Sequence, residues 1–373
     1  FLLLPVLFWK KLSTFSQFSL LVFAGYTLYL VLIGGDVLKA HRFFVPILFF
    51  LYPPLIEGLF RSIENWPRHR LAFAAAIFLS GFFAYGIPKT YLDPTAAQER
   101  GLVAKMRELA GLFVRHTSDK SFANSTIGAF SYYAGNRRVL DMLGLTEPAI
   151  AKNPESIPGI ESSWKEKNFN AGYILSQKPD VIVFSTEMKP SSPAERALFL
   201  YPEFRQNYRL EFLYRGSGNS LSLFYRRFKE FTLVTGPDQP AAFANALNEG
   251  LNLTRTDGRK SLTVLKQALE TGPKDCAVLY MTVGYLYTLL GFPESSGSYL
   301  HRGLELDGGG SLGQWYYVTW LNVQKRYDEA TQQLSDMIAN VPTAEEFLVA
   351  RGVLKNRRVV PLDSLTANNM ENR

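Results

Sequence analysis

Cysteine is almost absent. Cys276 is the only one in 373 residues, which excludes an intrachain disulfide framework and any cysteine-built zinc cluster. Histidine is scarce as well, with four residues in all, and none stands in an HExxH-type spacing. No metal site and no cofactor is therefore evident, although a divalent metal stays open. Lys and Arg form no long tract behind the formal charge of +7, so nucleic acid is not an expected partner. Charge itself is thin at one end: up to about Pro88 the sequence is aromatic- and aliphatic-rich, and beyond it the composition is that of ordinary soluble protein. The sequence opens on Phe1 inside an apolar run, which suggests that residues upstream are missing. A cleavable signal peptide is an alternative, but neither a basic n-region nor a small-residue cleavage site precedes Lys10.

What is present at that end is length without charge. Residues 15–33, "FSQFSLLVFAGYTLYLVLI", carry no ionisable side chain apart from tyrosine, enough for a helix crossing about 30 Å of hydrocarbon. Residues 43–60 and 71–87 are two more candidate spans, and residues 1–9 read as the tail of another. Lys10 and Lys11, then Arg61, Arg68 and Arg70, fall on one side if the spans alternate. The segment 34–42 falls on the other with Lys39 and Arg42. The positive-inside rule then puts the basic turns in the cytoplasm, and everything after Pro88 outside. A buried helical hairpin of a soluble protein is the competing reading. Pro46, Pro53 and Pro54 would interrupt an isolated helix but are tolerated in a packed bundle, and Glu57 reads as a side chain reaching for the headgroup level.

The rest divides in two. Residues 91–235 predict a small α/β domain. Helical spacing of Leu102, Val103, Met106, Leu109, Leu112 and Phe113 predicts a helix over 94–115. Strands are expected to end at Ile127–Ala129 and to cover Arg138–Asp141 and the "KPDVIVFST" run, and a β-hairpin is expected around Gly216-Ser217-Gly218-Asn219. His116 reads as a surface residue at a helix end. Asp141 is a secondary candidate for chemistry, with no triad or nucleophile motif around it; the plainer reading is a strand-end cap on the following turn. Residues 240–356 repeat with a period near 34: Leu269, Leu304 and Ile338 are spaced by 35 and 34. This resembles tetratricopeptide repeats and predicts helix pairs packed on the α/β unit, a docking module for a protein partner. A polar tail is expected over 357–373. The fold class is thus mixed: transmembrane α-helices (residues 1–90), then a small extracytoplasmic α/β domain, then an α-helical repeat.

Two stretches carry a family resemblance. "LIGGDVLKAHRFFVPIL" resembles the extracytoplasmic loop and following helix of bacterial GT-C-type polytopic membrane glycosyltransferases. "GAFSYYAGNRRVLDMLGLTEPAIA…GIESSW…YILSQKPDVIVF" resembles the soluble domain that follows the bundle in such proteins. The resemblance implies a multi-pass protein of the bacterial inner membrane with its C-terminal domain periplasmic. That protein would transfer a hexosyl or pentosyl group from a polyprenyl-phosphate-linked sugar, among the membrane lipids, to a glycan, lipid or protein acceptor of the cell envelope. It also implies a catalytic acidic loop near the family's N-terminus, which this sequence does not contain. In the chemistry of such a transfer, Lys39, His41 or Arg42 would neutralise the leaving phosphate. Asp36 would hold a sugar hydroxyl or act as a base, and Gly34 and Gly35 would let the backbone approach a ligand. The plainer reading of Gly34–Arg42 is a polar connector. The competing function is a membrane-anchored, tetratricopeptide-like scaffold of the envelope, without catalysis.

Overall fold

Apolar composition dictates the first elements. The structure is a computed structural model and describes residues 4–32, 42–65, 70–161, 168–216, 221–355 and 358–359. Two compact units divide the chain, Phe1–Leu102 and Val103–Arg373. The first holds helices α1 (Leu4–Leu7), α2 (Thr14–Leu32) and α3 (Leu48–Asn65), with a 3₁₀ turn at Arg42–Ile47 before α3. It also holds the start of α4 (Arg70–His116), which continues into the second unit. Thr14–Leu32 and Phe43–Glu64 are long and apolar enough to cross a membrane. Their side chains point outward: Phe18, Leu21, Leu28, Phe49 and Phe60 are exposed, where a soluble helix would bury such a face.

Two expectations change here, while the prolines expected to be tolerated do lie inside a helix. Glu57 does not simply reach outward: its carboxylate accepts from the Ser13 amide at 2.9 and 3.0 Å and from the Ser13 hydroxyl at 2.8 Å. One helix thereby caps the N-terminus of another, whose first amides have no partner of their own. Pro53 and Pro54 lie inside α3 without ending it. The helix expected over 94–115 does not start afresh after the apolar run 71–87. A single helix, α4, passes through Pro88 and Pro94, so no break falls at residue 90.

The second unit is built on a mixed five-stranded sheet. Its strands are β1 (Ser121–Asn124), β2 (Arg138–Asp141), β3 (Val181–Val183), β4 (Tyr208–Tyr214) and β5 (Leu221–Arg227), in the order β2-β1-β3-β5-β4. β1 is parallel to β2 and β3, while β5 is antiparallel to β3 and β4. Strand alternation divides the side chains between two apolar layers. Phe122, Val181, Val183, Leu213 and Phe224 pack with Met106, Leu109 and Phe113 of α4 and with Phe130. Ala123, Ile182, Phe212 and Tyr225 belong to the larger core on the other face. The strand expected to end at Ile127–Ala129 is instead helix α5 (Ile127–Tyr133). Asn124 explains the change: its Oδ1 accepts from the Thr126 amide at 2.6 Å, an Asx turn that closes β1 and turns the chain. Short helices α6 (Pro148–Lys152), α7 (Ala171–Ser176), α8 (Pro193–Leu198) and α9 (Pro202–Asn207) follow.

The helical region comes as successive pairs: α10 (Ala241–Leu253) with α11 (Gly258–Thr271), α12 (Ala277–Leu289) with α13 (Gly297–Asp307), and α14 (Ser311–Val323) with α15 (Tyr327–Asn340). The sequence period recurs as matched contacts. Ser261 Oγ donates to Gly250 O at 2.8 Å, and 35 residues on Ser296 Oγ donates to Gly284 O at 2.6 Å. Leu265 lies against Gly250 and Leu300 against Gly284, so closely that an added Cβ would sit 2.3 and 2.7 Å from them. The third pair fills the equivalent places with Val318, Ala330 and Leu334, all buried. The α/β segment and these helices share one apolar core within one compact unit. Helix α16 (Ala344–Ala350) precedes two short antiparallel strands, β6 (Leu354–Lys355) and β7 (Arg358–Val359), so Arg358 and Val359 of the expected tail are paired strand.

β4 is the edge of the five-stranded sheet, and the helical region covers it. Its outward amides at Phe212 and Tyr214 donate to Ser311 Oγ at 3.0 Å and Thr343 Oγ1 at 2.8 Å. An open strand edge, which would otherwise invite another chain, is thereby closed. Arg205, nearly fully buried, adds an ionic joint to Asp275 at 2.7 Å and Asp238 at 2.9 Å.

Candidate functional site

Of the residues singled out in the sequence, Gly34, Gly35, Asp36, Lys39 and His41 lie outside the described residues. Arg42 begins the 3₁₀ turn Arg42–Ile47, and its side chain is likewise outside them. Asp141 is placed clearly. It ends β2, buried, with Oδ1 accepting from the Leu143 amide at 3.0 Å and Oδ2 from the Thr146 amide at 2.6 Å. That is the geometry of a turn cap, with its lone pairs committed to backbone. Among the described residues no group of His, Cys, Asp or Glu is arranged to hold a metal ion. Cys276 is fully buried, and desolvation pushes its thiol up to about 12, which makes it a packing residue rather than a nucleophile.

The second unit offers a constellation that sequence reading missed. β1 runs to β2 through α5 on one face, and β2 runs to β3 through α6 and α7 on the other. Strand order therefore reverses between β1 and β3, and ligands in α/β sheets favour the crevice outside the carboxyl ends of strands at such a point. Here that crevice is organised by a buried carboxylate, Glu195 of α8. It accepts from Ser125 Oγ, just after β1, at 2.5 Å and from the Ser185 amide, just after β3, at 2.7 Å. The amides of Ser191 and Ser192 add bonds at 2.8 and 2.9 Å, and Ser191 Oγ adds one at 3.0 Å. Ser192 Oγ in turn accepts from the Glu195 amide, so the same residue closes the capping box that starts α8. One side chain thus ties the ends of two strands to the loop 185–192.

That loop presents Glu187 in the left-handed region, with φ of 69°, a conformation that costs a non-glycine residue about 1–2 kcal/mol. Three cations from three elements surround its carboxylate. Lys105 Nζ of α4 is 3.6 Å away, an Arg215 nitrogen just after β4 is 3.8 Å away, and an Arg255 nitrogen just after α10 is 3.5 Å away. β4 is parallel to β3, being antiparallel to β5, so Arg215 emerges at the same edge of the sheet. Nearby, Lys189 Nζ donates to Asn252 Oδ1 at 2.9 Å. In the sequence these residues are isolated charges scattered over 151 positions, from Lys105 to Arg255. Only the fold brings them together. The one local signal was "SSPAE", a capping-box pattern.

Residues 96–234 match a family described as a domain of unknown function (DUF8728). No curated protein and no solved structure matches the chain.

Proposed function

We propose that this chain is part of a GT-C-like membrane glycosyltransferase that moves a sugar from a polyprenyl-phosphate donor to a cell-envelope acceptor on the extracytoplasmic side. The observation that carries this reading is the pair of apolar stretches, Thr14–Leu32 and Phe43–Glu64, with outward aromatic and aliphatic side chains, which bracket the charged segment Gly34–Arg42. A charged, glycine-bearing connector between two spans is where the phosphate of a lipid-linked donor would lie. Arg42, Lys39 or His41 would then neutralise it, and Asp36 would hold or deprotonate a hydroxyl. The apolar face of α4 with Phe78, Phe82 and Tyr85 exposed supports a further span, and the Lys/Arg distribution supports basic turns in the cytoplasm with the second unit outside. The helix pairs with their 34–35-residue equivalences support a tetratricopeptide-like array, placed here as the support of the α/β segment.

The reading is tested in membranes containing the complete gene product. Incubated with a polyprenyl-phosphate-linked labelled sugar, they are expected to label an envelope acceptor. Membrane-impermeant thiol labelling of single cysteines placed in residues 34–42 and in the second unit is expected to modify both from the periplasmic side. Absence of transfer together with labelling from the cytoplasmic side would remove the reading.

A further inference from the structure

We propose that Lys105, Arg215 and Arg255 form a binding site for a phosphate-bearing ligand at the carboxyl edge of the sheet, with Glu187 as its built-in counter-charge. The argument rests on how these groups meet. Three positive side chains converge on one carboxylate, yet all three ion pairs are long, at 3.5–3.8 Å. A closed charge-assisted hydrogen bond is about 2.7–2.9 Å. The same chain makes such bonds elsewhere, at 2.7 Å between Arg205 and Asp275 and 2.6 Å between Arg326 and Glu329. The cations around Glu187 are gathered without being consumed.

Their placement suits a ligand. Lys105 and Arg215 are partly shielded, at 28% and 18% exposed, and Arg255 is open to solvent at 81%. Two of the cations are therefore partly shielded from solvent, and the third is reachable from it. Arg215 is aimed by a bond from its Nε to Ser222 Oγ at 3.0 Å, and Glu187 by the loop that Glu195 fixes. A phosphate offers several oxygens in a tetrahedral array, matching two guanidinium forks and one ammonium arriving from different directions. A carboxylate meets them in one plane, and Glu187 already does so imperfectly. The cluster lies beyond the carboxyl ends of β3 and β4, the edge of an α/β sheet at which ligands gather. The phosphate could be free in solution or the headgroup of an anionic lipid; the recognition chemistry is the same.

The site is tested on the full chain in a zwitterionic detergent, titrated calorimetrically with inorganic phosphate and pyrophosphate. This measures binding without sugar transfer, so it stands or falls apart from the transferase reading. Saturable binding is expected. Arg215→Ala should weaken it about tenfold or more, and Arg255→Ala by a few-fold because its charge is screened. Glu187→Gln should tighten it, since the competing charge is gone. The last sign is informative, because a purely structural ion cluster gains nothing from that change. Arg255→Ala lies on the surface and keeps the test valid if Arg215→Ala does not fold. Nanodiscs of zwitterionic and of anionic phospholipid then separate the two sources. Competition by anionic lipid that depends on Arg255 marks a headgroup, and unchanged phosphate affinity marks a soluble ligand. No saturable binding in either wild type or Glu187→Gln, or binding indifferent to Arg215→Ala and Arg255→Ala, overturns the proposal.

Discussion

Glu195 is one buried side chain holding five hydrogen-bond donors. Truncation to Ala removes the acceptor of all five at once. Each buried donor left unsatisfied costs about 1–3 kcal/mol, so Glu195→Ala should lower unfolding stability by roughly 3 kcal/mol or more, read from chemical denaturation of the full chain. Asp307 poses the opposite case. It is buried at the end of α13, and desolvation pushes its carboxyl up to about 7, despite bonds from the Gly309 and Gly310 amides and the nearby Arg209, with Glu211 adding to the rise. A group whose folded pKa lies above its unfolded value keeps a proton that the unfolded chain has already lost. Stability from Asp307 is thus full below about pH 4 and declines as pH climbs towards about 7. Asp307→Asn should flatten that slope in a melting series from pH 4 to pH 8; an unchanged slope would show that the carboxyl titrates normally. Neither residue announced itself in the sequence, because burial and the convergence of distant loops are long-range outcomes that no local pattern encodes.

At the scale of elements, period and pattern carried most of the information. The alternation in "YRLEFLY" and "SLSLFYRR" places β4 and β5 correctly, and the dense apolar run "VIV" reads as a buried strand because both its faces are covered. The repeat spacing gives the helix pairs. Two elements misled. Ile127 follows "NST", whose β-branched and polar residues look like a strand end, yet the Asx turn at Asn124 starts α5 there. Pro88 and Pro94 look like breaks, since each removes an amide donor, but α4 continues through them. The repeat also makes an element-scale prediction. Gly250 and Gly284 occupy equivalent close contacts, so Gly250→Ala and Gly284→Ala should each destabilise by about 1–3 kcal/mol. Ala at Gly291, where nothing lies within 4 Å but φ is +85°, should cost less, about 1 kcal/mol. Equal effects at all three in thermal denaturation would deny the close packing.

The whole molecule joins an apolar first unit to a second unit in which sheet and helical pairs share a core. Its composition made the first part legible at once, as stretches long and apolar enough to cross a membrane. The bracketed segment Gly34–Arg42 stands out in the sequence by its charges and its glycines, and all of it but the Arg42 backbone lies outside the described residues. The central claim is that this segment serves transfer from a lipid-linked sugar. It is tested most directly by comparing sugar transfer in the complete gene product with that of Asp36→Asn and Arg42→Ala, each at equal membrane abundance and with equal melting behaviour. The account predicts transfer by the wild type and a loss of at least about a hundredfold in both variants. Wild-type turnover in both would contradict it.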